Sequence, residues 1–179
     1  MNAGQAPTIR TERLVLRAHR IGDLDAYAAL WADPTVIRYT SGRPLTREES
    51  WIRILRYAGM WQLLGFGFWA IEDAATGALV GEAGFHELKR AISPDFAGRP
   101  EAGWMIHPAL HGRGYGGEVV AAIHAWADAR LAASETVCII HPHNTASQAL
   151  ARRIGYGDEI RTRYHNEPSL LFRRQRISR

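Results

Sequence analysis

The chain has 179 residues, 46% of them hydrophobic, with 22 basic and 18 acidic side chains and a formal charge of +4. That length suits one domain with a full core and leaves no room for a second. The basic excess is modest and scattered, which speaks against a nucleic-acid partner, and no apolar run reaches the ~20 residues that span a bilayer.

Residues 1–10 read as a disordered start, with no basic segment followed by an apolar one, so a cytoplasmic protein free of the membrane is expected. One domain then runs over 11–179. Residues 13–17 alternate as a short strand. Asp23 is placed to cap a helix in which Leu24, Tyr27, Ala28 and Trp31 share a face until Asp33-Pro34 stops it. Thr46-Arg-Glu-Glu49 has the form of a capping box, and Trp51, Ile54, Leu55 and Ala58 follow on one helical face. Residues 67–72 and 79–86 form a hairpin, and 88–100, with Ser93-Pro94, Gly98 and Pro100 but no periodicity, form a long loop. A strand over 102–106 leads to a glycine-rich turn and a helix carrying Val120, Ile123, His124, Ala127 and Leu131 on its core face. The single cysteine, Cys138, lies in a buried strand over 136–140 and has no partner for an internal disulfide. Asn144 caps a helix that Gly155 ends, and two strands, 158–165 and 169–175, close the sheet.

The stretch Glu101-Ala-Gly-Trp-Met-Ile-His-Pro-Ala-Leu-His-Gly-Arg-Gly-Tyr-Gly-Gly-Glu118 is the most informative. A strand breaks at Pro108 and enters a turn whose Gly112, Gly114, Gly116 and Gly117 leave the backbone N–H groups unobstructed, just where a helix begins. Such a turn suits a pyrophosphate. A Walker loop is excluded because Glu118, not Lys-Ser/Thr, follows Gly117. A dinucleotide fold is disfavoured because no acidic residue closes a second strand about 20 residues on.

His111-Gly-Arg-Gly114-Tyr-Gly116 resembles the acetyl-CoA loop of the GNAT superfamily of N-acetyltransferases, Gln/Arg-x-x-Gly-x-Gly/Ala, with His111 departing at the first position. Asn144-Thr-Ala-Ser147, followed by Gly155-Tyr156, is similar to the family segment that flanks the pantetheine arm. With Trp31-Ala-Asp-Pro-Thr-Val-Ile-Arg-Tyr39, these blocks resemble the branch containing ribosomal-protein N-terminal acetyltransferases. The resemblance implies an α/β fold with a mixed, mostly antiparallel sheet of about six to seven strands and about four helices. It implies acetyl-CoA as cosubstrate and no metal, with direct transfer to a primary amine, either a peptide α-amine or a small molecule, by a monomer or homodimer. The polar 38–43 link would border the acceptor site. His111, Gly112, Arg113, Gly114, Tyr115, Gly116 and Gly117 would receive the pyrophosphate. Met105, Ile106, His107, Asn144, Ser147 and Tyr156 would face the pantetheine and thioester.

Acetyl transfer needs a neutral amine, a polarised carbonyl and help for a leaving thiolate. Backbone N–H groups around Met105-Ile106-His107 are candidates for the second, if the strand splays. Glu101 and Glu82 are the acids on predicted central strands, and a carboxylate taken out of water becomes a stronger base. Glu101 is favoured because its strand leads to the loop, with His86 and His107 behind it. Either glutamate could instead be a structural charge or orient the amine. Ser147 is a candidate to bond the leaving sulfur, with Tyr156 as substitute, since Ala151 stands where many family members carry a tyrosine. His141-Pro-His143 makes a poor metal pair. A non-catalytic acyl-CoA sensor is the alternative; a nucleic-acid module would rest on Arg173-Arg-Gln-Arg176 alone.

Overall fold

The computed structural model describes residues 4–177. Alternating apolar segments become β1 (Ile9–Arg10), β2 (Leu14–Arg17), β3 (Phe68–Asp73), β4 (Leu79–His86), β5 (Glu101–Ile106), β6 (Glu135–Ile140), β7 (Gly157–Tyr164) and β8 (Glu167–Gln175). They form one sheet in the order β1-β2-β3-β4-β5-β6-β8-β7, antiparallel except between β5 and β6. The helices are α1 (Leu24–Leu30), α2 (Pro34–Ile37), α3 (Arg47–Leu64), α4 (Tyr115–Arg130) and α5 (Thr145–Arg153).

Among the described residues the sheet has eight strands rather than about six to seven, and there are five α-helices rather than about four. The extra strand, Ile9–Arg10, pairs with Leu16 and Val15 inside the stretch read as a disordered start; residues 1–3 of that stretch lie outside the described residues. The extra helix begins at the proline expected to stop one. Pro34 needs no acceptor at the first helical position, and Asp33 caps the turn by accepting from the Thr35 N–H at 2.7 Å. Asp23 does not cap α1. Its carboxylate takes two bonds from the Arg17 guanidinium at 2.8 Å each and one from the Arg20 N–H at 2.7 Å. Arg17 and Asp23 are both buried, and there an unpartnered charge costs far more than a missing cap. The Thr46 capping box forms as read, with Thr46 Oγ1 accepting from the Glu49 N–H at 3.1 Å and Glu49 accepting from the Thr46 N–H at 2.8 Å.

Side-chain alternation divides the core between the two faces of the sheet. Against one face, Val119, Ile123 and Ala127 of α4 meet Ile71, Phe85, Ala102 and Phe172. Trp61, Trp69 and Trp126 close that core edge to face. Against the other, α1, α2 and α3 bring Tyr27, Trp31, Ile37 and Tyr57 onto Phe68 and Met105.

One irregularity positions everything that follows. β5 pairs with β4 along its length, and β6 does the same with β8, but β5 and β6 share only the Glu101↔Val137 bridge. The Val137 N–H bonds Pro100 O at 3.0 Å, and beyond that point the two strands diverge.

His124, read as a core residue of α4, is 1% exposed. Its Nδ1 lies 2.7 Å from Val120 O, an acceptor only, so Nδ1 carries the proton and Nε2 accepts from the Tyr156 hydroxyl at 2.9 Å. Burial brings the His124 pKa from 6.5 down to about 4. The unfolded chain therefore binds a proton in this window that the folded chain refuses. The contribution, about 3 kcal/mol, is complete above pH 6.5 and is lost as pH falls towards 4. His19, held below its ordinary value mainly by burial, acts in the same direction. In His124→Gln, whose amide carries a donor and an acceptor but does not titrate, the stability lost between pH ~7 and ~4.5 in denaturant unfolding should shrink by about 2 kcal/mol. Equal losses in both proteins would show that His124 is charged in the fold.

Candidate active site

The glycine-rich turn is shaped by backbone conformations that glycine adopts readily. Pro108–Leu110 make a single 3-10 turn, and the His111 ring N–H reaches back to Ile106 O at 2.8 Å. Gly112 and Gly114 have φ of +71° and +83°, and Gly114 is the N-cap of α4. The N–H groups of Tyr115, Gly116 and Gly117 therefore open α4 without intrahelical acceptors, and Glu118 N–H is the first to bond back, to Gly114 O at 3.2 Å. Arg13 anchors the turn. It donates to Arg113 O at 2.9 Å and to Glu118 Oε2 at 2.7 Å, and its guanidinium lies 4.0 Å above the Tyr115 ring. Glu118 is thus the turn's tether to the sheet.

From this turn a groove of about 420 Å³ runs past Leu150 and Arg153 of α5 towards the diverging strands. A second cavity, of about 150 Å³, lies on the α1–α3 side of the sheet. The two share Tyr39, Thr40, Trp104, Met105, Asn144 and Ser147 in their linings, so they meet where β5 leaves β6. Asn144 caps α5 by accepting from the Ser147 N–H at 3.2 Å, and Tyr39 faces the His141 ring across the mouth at a centroid distance of 5.3 Å. Antiparallel pairing settles which β5 backbone groups face the gap. His107 N–H goes to Val80 O at 2.7 Å and Met105 pairs with Glu82, so these positions point to β4. The intervening Trp104 and Ile106 turn their polar groups towards the gap, with Ile106 O taken by His111.

The same alternation puts Glu82, Gly84 and His86 of β4 beside Met105, Gly103 and Glu101 of β5 on the cavity side. A Cβ at Gly103 would lie 2.8 Å from Phe68 Cζ, so the missing side chain is what lets the Phe68 ring floor the cavity. Glu82, 2% exposed, accepts from the Tyr27 hydroxyl at 2.5 Å and the Tyr57 hydroxyl at 2.9 Å. Burial and the Glu82 charge push Tyr57 up to about 12, and they hold Tyr27 well above its ordinary value, so both hydroxyls keep their protons. Glu101 takes two bonds from Arg90, at 2.6 and 3.0 Å, and Arg90 stacks on Tyr164. Burial raises the Glu101 pKa, but the neighbouring His86 and Arg90 outweigh it and hold the carboxyl below its usual range. His86 Nε2 stands 3.2 Å from Glu101 Oε1 without hydrogen-bond alignment, and among the described residues neither ring nitrogen has a hydrogen-bond partner.

Several sequence expectations are corrected here. Tyr156 is 3% exposed with its hydroxyl between His124 and Thr136 Oγ1, on the α4 side of the sheet, and it lines neither cavity. His107 is exposed, caps its own turn through Ala109 N–H and spends its backbone N–H on Val80. The side chains of Arg113 and Tyr115 belong to the Arg13 anchor and are absent from the groove lining, so of Tyr115 only the free backbone N–H stays with the turn. The 88–100 loop, read only as unpatterned, supplies Arg90 to Glu101. The structure brings together Glu82, Glu101, Met105, Asn144 and Ser147 in one cavity, and His111, Gly112, Gly114, Gly116, Gly117 and Ile106 in the adjoining groove. Sequence reading missed Trp31, Arg53, Tyr57 and Trp104. Their helical or strand spacing is that of ordinary core positions, and no local signal separates the two uses.

A family model, the acetyltransferase (GNAT) domain, matches residues 13–157. The chain belongs to the GNAT acetyltransferase family. A GnaT-family acetyltransferase from Bordetella pertussis is 30% identical, with a TM-score of 0.83 over 94% of this chain and 99% of that one. The N-acetyltransferase YoaA of Bacillus subtilis is 27% identical over 154 residues, 86% of this chain and 84% of its own. At 15% identity the fold is also that of RimL, a ribosomal L7/L12 α-N-protein acetyltransferase solved with coenzyme A, with a TM-score of 0.74 over 94% and 98% of the two chains. This GNAT chain is accordingly an acetyl-CoA-dependent N-acetyltransferase. Among the described residues no helix is long and apolar enough to cross a membrane, and no group of three or more His, Cys, Asp or Glu is placed to hold a metal.

Two substitutions separate binding from architecture. A Cβ at Gly117 meets nothing within 4 Å, so Gly117→Leu should fold normally while its side chain fills the groove, weakening coenzyme A binding at least about tenfold in calorimetry. Unchanged affinity would remove the turn from the cosubstrate site. Tyr156→Phe strands His124 and Thr136 and should cost about 1–3 kcal/mol of stability, with kcat within about twofold of the parent. A collapse of kcat at undiminished stability would return Tyr156 to the chemistry.

Proposed function

We propose that this GNAT enzyme acetylates a small primary amine held in the 150 Å³ cavity, by direct attack and without an acyl-enzyme. The observation that carries the reading is the junction of the two cavities at Trp104, Met105, Asn144 and Ser147, where groove and acceptor space touch through the sheet. The glycine turn offers three free N–H groups and a helix N-terminus to the pyrophosphate, while the Trp104 N–H and Asn144 offer polar partners to the pantetheine arm. Acetyl-CoA supplies the acyl group as an activated thioester.

His86 acts as the base in this reading. Neutral imidazole can turn Nε2–H to Glu101, which Arg90 holds in place, and so present the Nδ1 lone pair to an amine in the cavity. Glu101 is then a positioning residue; its bond to Arg90 and lowered pKa make it a weak base. Glu82, which already accepts hydrogen bonds from two tyrosine hydroxyls, stands beside the amine. As the amine nitrogen bonds the carbonyl carbon, its surplus proton passes to His86. The carbon–sulfur bond breaks and the thiolate leaves against the Ser147 hydroxyl. Buried Cys138, its thiol pushed well up by burial, stays out of the exchange.

A peptide α-amine is the second reading. Its unperturbed pKa of ~7.7–8.0, against ~10.4 for lysine, asks little of a base, and RimL, which shares the fold, acts on a protein N-terminus.

His86→Gln should lower kcat about 100-fold with the KM for acetyl-CoA unchanged. A kcat within a few-fold of the parent would remove His86 as base. Cys138→Ala should keep full turnover, and an acetylated enzyme competent to acetylate an added amine would overturn direct attack.

A further inference from the structure

The acceptor cavity holds one cation that the chemistry above leaves unused. Arg53 of α3 lines it with the guanidinium flat on the Trp31 ring at 3.9 Å and Nε donating to the Tyr57 hydroxyl at 3.1 Å. Among the described residues neither Nη group has a hydrogen-bond acceptor, and no carboxylate lies within ion-pair distance. Both carboxylates of the cavity are already engaged. Glu101 is held by Arg90, and each Glu82 oxygen accepts a hydrogen bond from a tyrosine hydroxyl, so Glu82 reaches Arg53 only through Tyr57. A second donor adjoins it. Trp31 is 2% exposed, lines the same cavity, and its Nε1–H has no partner among the described residues.

A buried indole N–H left unpaired costs about 1–3 kcal/mol, and a guanidinium stacked on that indole presents a planar fork that fits a carboxylate. The cavity thus carries unused donors at its α1–α3 end, while the glutamates stand along the β4–β5 floor. A neutral amine would engage the floor alone. A molecule with an amine and a carboxylate a few bonds apart would engage both.

We propose that Arg53 and Trp31 form a carboxylate subsite and that the acceptor is a small α-amino acid. Its α-amine faces His86 and Glu82, and its carboxylate sits on the Arg53 fork with the indole N–H beside it. This rests on the small-amine reading above and narrows it to zwitterions. A peptide N-terminus, whose first carboxylate has become an amide, would leave the subsite unfilled.

The test uses a panel of free L-amino acids with the matching carboxamides and decarboxylated amines, measured in two ways. One is acetyl-CoA turnover; the other is calorimetric binding to the full-length protein saturated with coenzyme A. The free acids should exceed their amides at least tenfold in kcat/KM and in affinity, a factor of about ten per charge-assisted contact. Arg53→Gln should erase that preference by weakening the acids and sparing the amides, with acetyl-CoA KM unchanged. Trp31→Phe, which keeps the ring under the guanidinium, should raise KM for the acids several-fold at constant kcat. Amides or peptides that match the acids, or an Arg53→Gln loss equal for both, would overturn the subsite, as would a failure of every acid to bind. Arg53-dependent binding of acids without acetylation would leave the subsite standing and sink the transfer reading instead.

Discussion

The site depends on one missing ladder. β5 and β6 run parallel, and after the single Glu101↔Val137 bridge each commits its pairing to its other neighbour, β4 or β8. Buried backbone groups left without partners are costly, so such a gap persists only where something else can satisfy them. Here the Trp104 edge of β5 faces an opening, and α5 begins on the far side with Asn144 and Ser147 at its mouth. A pantetheine arm, with its amide groups, can pair there much as an added strand would. Groove, junction and acceptor cavity all follow from that divergence.

Around the opening, fixed charges have been assigned to structure first. Arg13 and Glu118 bind the glycine turn to β2, Arg17 and Asp23 join β2 to the start of α1, and Arg90 reaches from the long loop to Glu101. Each is an arginine meeting a carboxylate through more than one hydrogen bond, the geometry in which a partly buried pair repays its desolvation best. The roles we propose therefore fall to groups outside these pairs: the His86 ring, the Ser147 hydroxyl and the Arg53 fork.

Tyr27 and Tyr57 show how a helical core face doubles as a site. Tyr57 stacks on Phe68 at a centroid distance of 4.6 Å, and both tyrosines turn their hydroxyls to Glu82. A carboxylate on the floor of an apolar layer is tolerable because two hydroxyls, held in their protonated form by burial, solvate it. The helices thus pack the core and keep the cavity floor charged.

What the sequence by itself determined were features whose physics is local. The Thr46 capping box, the Asn144 cap and the glycine-rich turn that opens a helix each depend on residues within a turn or two, and they formed as read. The glycine turn and the Asn144–Ser147 block were legible for that reason, and with them the family. Only the tertiary structure decided which candidates keep their polar atoms free. Glu101 looked like a base until Arg90, from an unpatterned loop, closed on it, and Tyr156 looked like an acid until His124 and Thr136 took its hydroxyl. Arg53 and Trp31 carried no signal, because a helix face shows its period but not whether it meets core or cavity. Pairing, burial and orphaned donors belong to residues far apart in the chain, and long-range packing alone sets them.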